Sequence, residues 1–284
     1  MRLHFTNLDS AESISQAFGF QVPLPFAEFL MKLYEYCQKD NQEVANLFEH
    51  LTGQMLDGED IRYQQTPPEL FPIASMGVDG VHYGYVIHAP ELKAEDYPVG
   101  EICPMDDDGV ILVGNTTQEA LENFGGFLIK GEKDEKVRQE ISDLYKLFGL
   151  QPNDQSNKIR YMNNGKAFSI TPNIPANWLY VPTADGIGVL APAEKFRNEP
   201  LASIKNPHAP NEYLKHADKA SLENFPATAL YYLREGFWIN WTDTADAQRF
   251  SSRMIKTYIE LNRHILARVT EQRAIKHFDG KKSL

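Results

Sequence analysis

The sequence predicts an α+β fold, a mainly antiparallel sheet flanked by helices with a helical C-terminal portion, and three observations carry that prediction. Between Leu70 and Val113 short apolar runs alternate with turn residues at strand spacing. On either side of that stretch the apolar residues recur every three or four positions, which is helical spacing. In the last third of the chain helical periodicity takes over almost completely.

The chain has 284 residues, of which 42% are apolar and 11% aromatic, enough to close one large core or two ordinary ones. Asp9-Ser10 reads as the cap of a short helix ending near Gly19, and Pro23 and Pro25 punctuate the entry to the next. In that next helix Phe26, Phe29, Leu30, Leu33, Tyr34 and Cys37 form a single apolar face. Asn41 is a candidate cap for a further helix carrying Val44, Leu47, Phe48 and Leu51, with Gly53 just past its end.

The period then changes. Val81, Tyr83, Tyr85 and Ile87 alternate with His82, Gly84, Val86 and His88, so this run is a strand. Asp79-Gly80 supplies the turn that pairs it antiparallel with Leu70–Ser75. Val99–Cys103 and Val110–Val113 read as two more strands, joined through Pro104–Gly109. Helical spacing returns after Asn115-Thr116-Thr117 with Ala120, Leu121, Phe124, Phe127 and Leu128, interrupted by Gly125-Gly126, which either kinks the helix or permits close packing. Glu132–Phe148 is a charged helix closed by Gly149 and Pro152, and the polar run from Gln151 to Lys158 is the best linker candidate. The chain thus divides into 1–150 and 151–284, the second portion being a separate α+β and helical part packed on the first or a degenerate repeat of it.

In that second portion Lys158–Met162, Lys166–Thr171 and Trp178–Pro182 are short strand candidates, with Asn164-Gly165 as a hairpin signal. A repeat is suggested by Asp79-Gly80 leading to Ala89-Pro90-Glu91 and Asp185-Gly186 leading to Ala191-Pro192 and Glu194. Asn211–Ala220 and Pro226–Glu235 are helices, and Phe237, Ile239 and Trp241 share one face of an extended aromatic run. From Asp243 or Thr244 a single long helix is expected toward residue 277, with Ala247, Phe250, Met254, Tyr258, Leu261, Ile265 and Val269 as one stripe. Its length suits either a brace across the molecule or a homodimer through this helix.

Chemistry-bearing motifs are tested and mostly rejected. His82 and His88 lie on one strand face but about 20 Å apart at ~3.3 Å per residue, too far for one zinc. Asp106-Asp107-Asp108-Gly109 offers only two of the alternating oxygens of a calcium loop and ends too early. There is no G-x-S-x-G elbow, no Walker loop and no G-x-G-x-x-G, and Cys37 and Cys103 read as core thiols. The expectation is therefore no catalytic residues, no metal and no cofactor, with an enzyme assembled from distant residues as the rival reading. Two cysteines outside any C-x-x-C pair fit a reducing compartment, the N-terminal residues do not read as a signal peptide, and no run is apolar enough for a membrane span, so a cytoplasmic location is expected.

The formal net charge is −11, which disfavours direct nucleic-acid binding and favours encounter with a basic partner. The charge is uneven: residues 249–284 hold nine Lys or Arg against three acids, leaving −17 on the rest. Docking of this basic segment on acidic surface of its own molecule is the expected use.

Leu24-Pro25 and the helix that follows, then Phe71-Pro72-Ile73, Asp79-Gly80, Tyr83-Gly84-Tyr85, Tyr97-Pro98-Val99 and the helix opening at Thr116, form an ordered series over Pro23–Leu128. The series resembles the SUKH superfamily, which groups a fungal cell-wall-integrity regulator with bacterial immunity proteins. The resemblance implies an α+β fold, no catalytic residues, and a protein-binding role, commonly that of an antidote blocking a toxin such as a nuclease. A basic toxin suits the acidic chain. On charge and placement, Glu95, Asp96, Asp106, Asp107 and Asp108, near the sheet edge and its turns, are the candidate partner-binding residues. A regulatory scaffold or structural oligomer is the alternative non-enzymatic reading.

Overall fold

A computed structural model describes residues 8–40, 43–58, 61–104, 109–153, 174–198, 201 and 204–278. The fold is α+β: a five-stranded antiparallel sheet with helices, a small two-stranded sheet, and a helical C-terminal region. The chain forms two units. The first takes Met1–Arg62, Leu70–Ile87 and Ala94–Ile170, and the second takes Tyr63–Glu69, His88–Lys93 and Thr171–Leu284. A single cut at residue 150 therefore does not describe the division, because two short stretches on either side of a hairpin belong with the C-terminal part.

In the first unit Ser10 accepts the amide of Ser13 at 3.2 Å and opens a helix Ala11–Phe18 (α1), which Gly19 ends with φ 77°. The helix Leu24–Asp40 (α2) starts directly after Pro23 and holds Pro25 in its first turn, and a third helix runs Val44–Thr52 (α3). The residue before α3 is Glu43, extended and without a side-chain cap bond; Asn41, the expected cap, lies outside the described residues. The sheet is a meander of Met55–Leu56 (β1), Leu70–Ser75 (β2), His82–Val86 (β3), Val99–Ile102 (β4) and Ile111–Gly114 (β5), each strand paired with its sequence neighbours.

Local chemistry explains this register. Asp79 and Gly80 both take positive φ, 53° and 68°, at the centre of a turn that the Val81 amide closes on Val78 O at 3.1 Å. Pro72, which has no N–H to donate, sits where the β2–β3 register slips between Pro72 and Ala74. On one face of β3, Tyr83 meets Phe124 edge-on at 4.9 Å and Tyr85 meets Phe26 at 5.7 Å.

Phe124 belongs to a helix Thr117–Gly131 (α4), capped by Thr116, whose hydroxyl accepts the amide of Glu119 at 3.1 Å. The next helix, Glu135–Leu147 (α5), is capped by Asp134 and sends Tyr145 back toward α4. There the two-glycine interruption proves to be a packing device. A Cβ at Gly125 would lie 2.3 Å from Cζ of Tyr145, whose hydroxyl reaches the carbonyls of Leu121 at 2.9 Å and Leu51 at 3.0 Å.

Among its described residues the second unit holds a hairpin of Trp178–Val181 (β6) and Val189–Pro192 (β7), a 3-10 turn Ala193–Lys195, and the helices Pro210–Leu222 (α6), Pro226–Asn240 (α7), Thr244–Glu260 (α8) and His264–Phe278 (α9). The strand candidates Lys158–Met162 and Lys166–Thr171 and the Asn164-Gly165 turn lie outside the described residues, as does the linker run beyond Asn153. Both members of the suggested repeat are hairpins, yet Asp79 is an exposed turn residue with positive φ whereas Asp185 is buried.

Two expectations are corrected here. The aromatic run Phe237–Trp241 is not extended: Phe237 to Asn240 are the last turn of α7. Five residues of alternation fit either period, and a helix started by Pro226 at its first position simply continues through them. Nor is there one long C-terminal helix. Asn262 takes φ 59°, its amide bonds Ile259 O at 2.9 Å and the Arg263 amide bonds Tyr258 O at 2.7 Å, the paired bonds of a Schellman stop. Helices α8 and α9 then pack on each other. The stripe residues Ala247, Phe250, Met254 and Tyr258 are buried within the chain, and the break at Asn262 means that the stripe does not run along one rod.

Gly125→Ala should lower the urea midpoint by the equivalent of about 1–3 kcal/mol, the cost of forcing an extra carbon into a closed contact. Gly131→Ala, at the last position of the same helix with open space around it, should be neutral or slightly stabilising.

Candidate functional site

The most concentrated chemistry lies in the second unit, around Arg234 on α7. Its side chain is 1% exposed. Nε and Nη2 donate to Asp185 Oδ2 at 2.8 and 2.5 Å, and Nη1 donates to Glu69 Oε1 at 2.9 Å and to the Gly188 carbonyl at 2.8 Å. Tyr258 on α8 donates to the same Glu69 oxygen at 2.7 Å. The other oxygen of Asp185 accepts from Thr183 Oγ1 at 2.6 Å and from the Ile187 amide at 3.1 Å, which folds the 183–188 loop around the carboxylate.

Charge and burial compete in this cluster, with opposite results at two arginines. At Arg234 burial works against the charge, but Asp185 and Glu69 outweigh it and the pKa is raised. Burial of Arg263 dominates instead, and its pKa is lowered despite Glu69. Arg263 donates to the Leu190 carbonyl and lies 6.0 Å from the centre of the Trp178 ring. His88 is driven down to about 3, first by burial and further by Arg234 and Arg263, against the pull of its bond to Ile187 O at 3.0 Å. A carbonyl can only accept, so the neutral ring carries its proton on Nε2.

A cluster so enclosed holds the unit together. Its carboxylates face a guanidinium, not solvent. Among the described residues no group of three or more His, Cys, Asp or Glu converges to hold a metal ion.

The candidate partner residues fare differently from one another. Glu95 is exposed. Asp96 is half-buried and committed: its two oxygens accept the amide and hydroxyl of Thr117 at 2.8 and 2.7 Å, and Oδ1 also accepts the amide of Tyr97 at 2.8 Å. Thr117 Oγ1 is in turn 2.7 Å from the buried hydroxyl of Tyr85, whose pKa burial raises well above its ordinary value. Asp96 thus anchors the first turn of α4, where a negative charge also suits the helix dipole. Asp106, Asp107 and Asp108 lie outside the described residues. His82 is fully buried in the first unit, with Nδ1 2.8 Å from Gly80 O. Cys37 is buried as expected and Cys103 half-buried.

Sequence reading did not find an acid-rimmed groove of about 580 Å³ in the first unit, between α2, α3 and α5. Tyr36, Leu47 and Leu144 supply its apolar parts, and Glu43, Asn46, His50 and Glu140 its polar rim. Across it His50 Nε2 faces Glu140 Oε1 at 3.6 Å. Glu43, Asn46 and His50 recur at helical spacing, a signal that was present but indistinguishable from any solvated helix face.

No protein-family model matches the chain, and no curated protein matches it. Among the described residues no helix is long and apolar enough to cross a membrane.

Arg234→Met should cost about 3–5 kcal/mol in urea unfolding, because it leaves Glu69 and Asp185 buried without their counter-charge. The pH dependence has a definite sign. Unfolded His88 binds a proton near pH 6.5 and the folded form only near 3, so stability is full above 6.5 and falls as pH drops through that window, by about 1.4 kcal/mol per unit at most from this group. His88→Gln should flatten the slope of stability between pH 6 and 4.

Proposed function

We propose that this protein is a non-catalytic protein-binding module for a basic partner, of the immunity type that binds and blocks a toxin such as a nuclease. The observation that carries the reading is the groove of the first unit: an apolar strip of Tyr36, Leu47 and Leu144 beside Glu43 and Glu140, on a chain of formal charge −11. An apolar strip with an acidic border matches the apolar and basic faces of a cationic segment, and the wider negative field raises its encounter rate.

Further support comes from the order of elements in the first unit. A helix after the Leu24-Pro25 start, an antiparallel meander turning at Asp79-Gly80 and a helix opening at Thr116 follow the series that resembles the SUKH superfamily. Exposed Glu95, beside the Asp96 anchor, extends the proposed acidic surface, and Asp106, Asp107 and Asp108 are kept as proposed partner-binding residues on charge alone. Asp96 serves that surface by fixing the turn. The basic excess of the C-terminal segment is partly consumed internally: Arg249 pairs with Asp246 and Arg253 with Asp218, while Arg263 and Arg273 are buried. Cys37 and Cys103 form no disulfide, which suits a reducing compartment, and we place the protein in the cytoplasm.

The test is co-purification with the protein encoded beside it, followed by an assay of whether that protein's toxicity or nuclease activity is silenced. Glu43→Lys with Glu140→Lys should slow association about tenfold at low ionic strength and flatten its salt dependence. An unchanged on-rate removes the groove from the interface, and a neighbour that neither binds nor is silenced removes the immunity reading. Glu95→Lys should act in the same direction more weakly, since it carries one charge and not two.

A further inference from the structure

The first unit contains a second, smaller cavity of about 190 Å³, open on one side, where the end of α3 and the turn after it meet the sheet and α4. Its walls are apolar, supplied chiefly by Met76, Val113, Phe124 and Leu128. Its polar groups come from Thr52, Tyr83, Gln54 and Glu101. Glu101 on β4, paired in register with Tyr83, is only 8% exposed, and so is Gln54. The backbone at Gln54 is fixed by Thr52, whose Oγ1 accepts the Gln54 amide at 3.1 Å. The side-chain oxygen Oε1 of Gln54 is buried and has no hydrogen-bond partner.

A buried acceptor without a donor is costly, so its presence beside a cavity points to what the cavity takes. Gln54 and Glu101 both offer oxygen acceptors there. Glu101 already takes part in an interaction, but a carboxylate's two oxygens provide about four acceptor sites and leave room for another donor. An anion would be repelled by Glu101, and a neutral alkyl group would leave Gln54 Oε1 unsatisfied. A cationic donor on an apolar stem meets both demands and gains a charge-assisted hydrogen bond in a site with little water.

Size narrows the cation. At the ~30 Å³ that a water occupies in the liquid, the cavity has room for about six heavy atoms. A four-carbon chain ending in a primary ammonium has five, whereas a guanidinium on a three-carbon stem has seven. An ammonium also brings three donors, enough for Gln54, Glu101 and a water at the mouth.

We infer that this cavity is a binding site for a primary ammonium group on a short aliphatic stem. Two sources share that chemistry, a free alkylamine and a lysine side chain presented by another protein. The site does not depend on the acidic groove, since neither Glu43 nor Glu140 lines it.

The full chain, labelled in its methyl groups, is titrated with n-butylammonium chloride at constant ionic strength while NMR follows Met76, Val113 and Leu128. Saturable shifts with a Kd in the millimolar range are expected. 1-Butanol should bind about tenfold more weakly, and Glu101→Gln should weaken the ammonium about tenfold while leaving the alcohol unchanged. Should Glu101→Gln lose its dispersed spectrum, Gln54→Leu serves instead and should weaken the ammonium several-fold. Nα-acetyl-lysine methylamide binding as well as butylammonium, with the norleucine analogue not binding, assigns the site to a protein lysine; butylammonium binding alone assigns it to a free amine. Shifts that do not saturate, an alcohol that binds as tightly, or variants that bind the ammonium as well as the parent overturn the inference. Glu43→Lys with Glu140→Lys should leave this titration unchanged, so failure of the partner-binding reading and failure of this site are read separately.

Discussion

The second unit depends on one guanidinium. It is assembled from three separated lengths of chain, and Arg234, in the longest, holds one of the others through Glu69 and the loop 183–188 of its own. Taking an arginine and two carboxylates out of water costs several kcal/mol per ion, and only good geometry recovers it. Here two donors meet Asp185, one nitrogen bridges Glu69 and the Gly188 carbonyl, and the Tyr258 hydroxyl completes the Glu69 oxygen that Arg234 already holds. The hairpin gains most from this. Two strands of four residues are marginal by themselves, and among the described residues β6 and β7 pair only with each other, so the pinned loop between them is what gives the hairpin a fixed place in its unit. Helices α6 to α8 have buried faces of their own, and α8 is also capped by Asp243, so they depend on it less.

In the first unit an acid, two hydroxyls and a glycine carry the corresponding load. Its sheet meets α4 through an anchored helix start, where Asp96 holds both polar groups of Thr117, and Thr117 meets the hydroxyl of Tyr85 in the middle of the sheet. Its helices close on each other through an absence of atoms: Gly125 lets the ring of Tyr145 sit against the α4 backbone, and that tyrosine ties α5 to carbonyls of α3 and α4. In both units a polar group that looks from its residue type like a surface feature, Asp96 or Asp185, is spent on architecture.

That substitution explains which parts of the molecule could be read from sequence. Local rules placed α2, the Asp79-Gly80 hairpin, the four longer strands and the start of α4, because each is set by spacing or by a turn residue within a few positions. The same rules failed where two periods coincide, as in Phe237–Trp241, and where a hydrophobic stripe runs on across a break that one residue makes. Asn262 was the available signal, since asparagine tolerates the left-handed backbone, and Asn224 ends α6 in the same way. The Arg234 cluster had no local signal at all: its partners are 49 and 165 positions away. For the groove and the cleft the residues were visible but not their neighbours, and a lining is a property of neighbours.

Exposure then separates the acids that remain. Glu43, Glu95 and Glu140 stand in water, where a charge adds little contact energy yet acts over roughly the 8–10 Å of a Debye length and so governs how often a basic partner arrives. Glu101 is nine-tenths buried, and its charge is felt only by a group that enters the cleft, where water competes less. On the proposed readings the same unit therefore separates two tasks that one surface carboxylate performs poorly together. Attraction is spread over an open face, and chemical discrimination is confined to a small apolar recess in which an unsatisfied amide oxygen penalises every occupant that cannot donate.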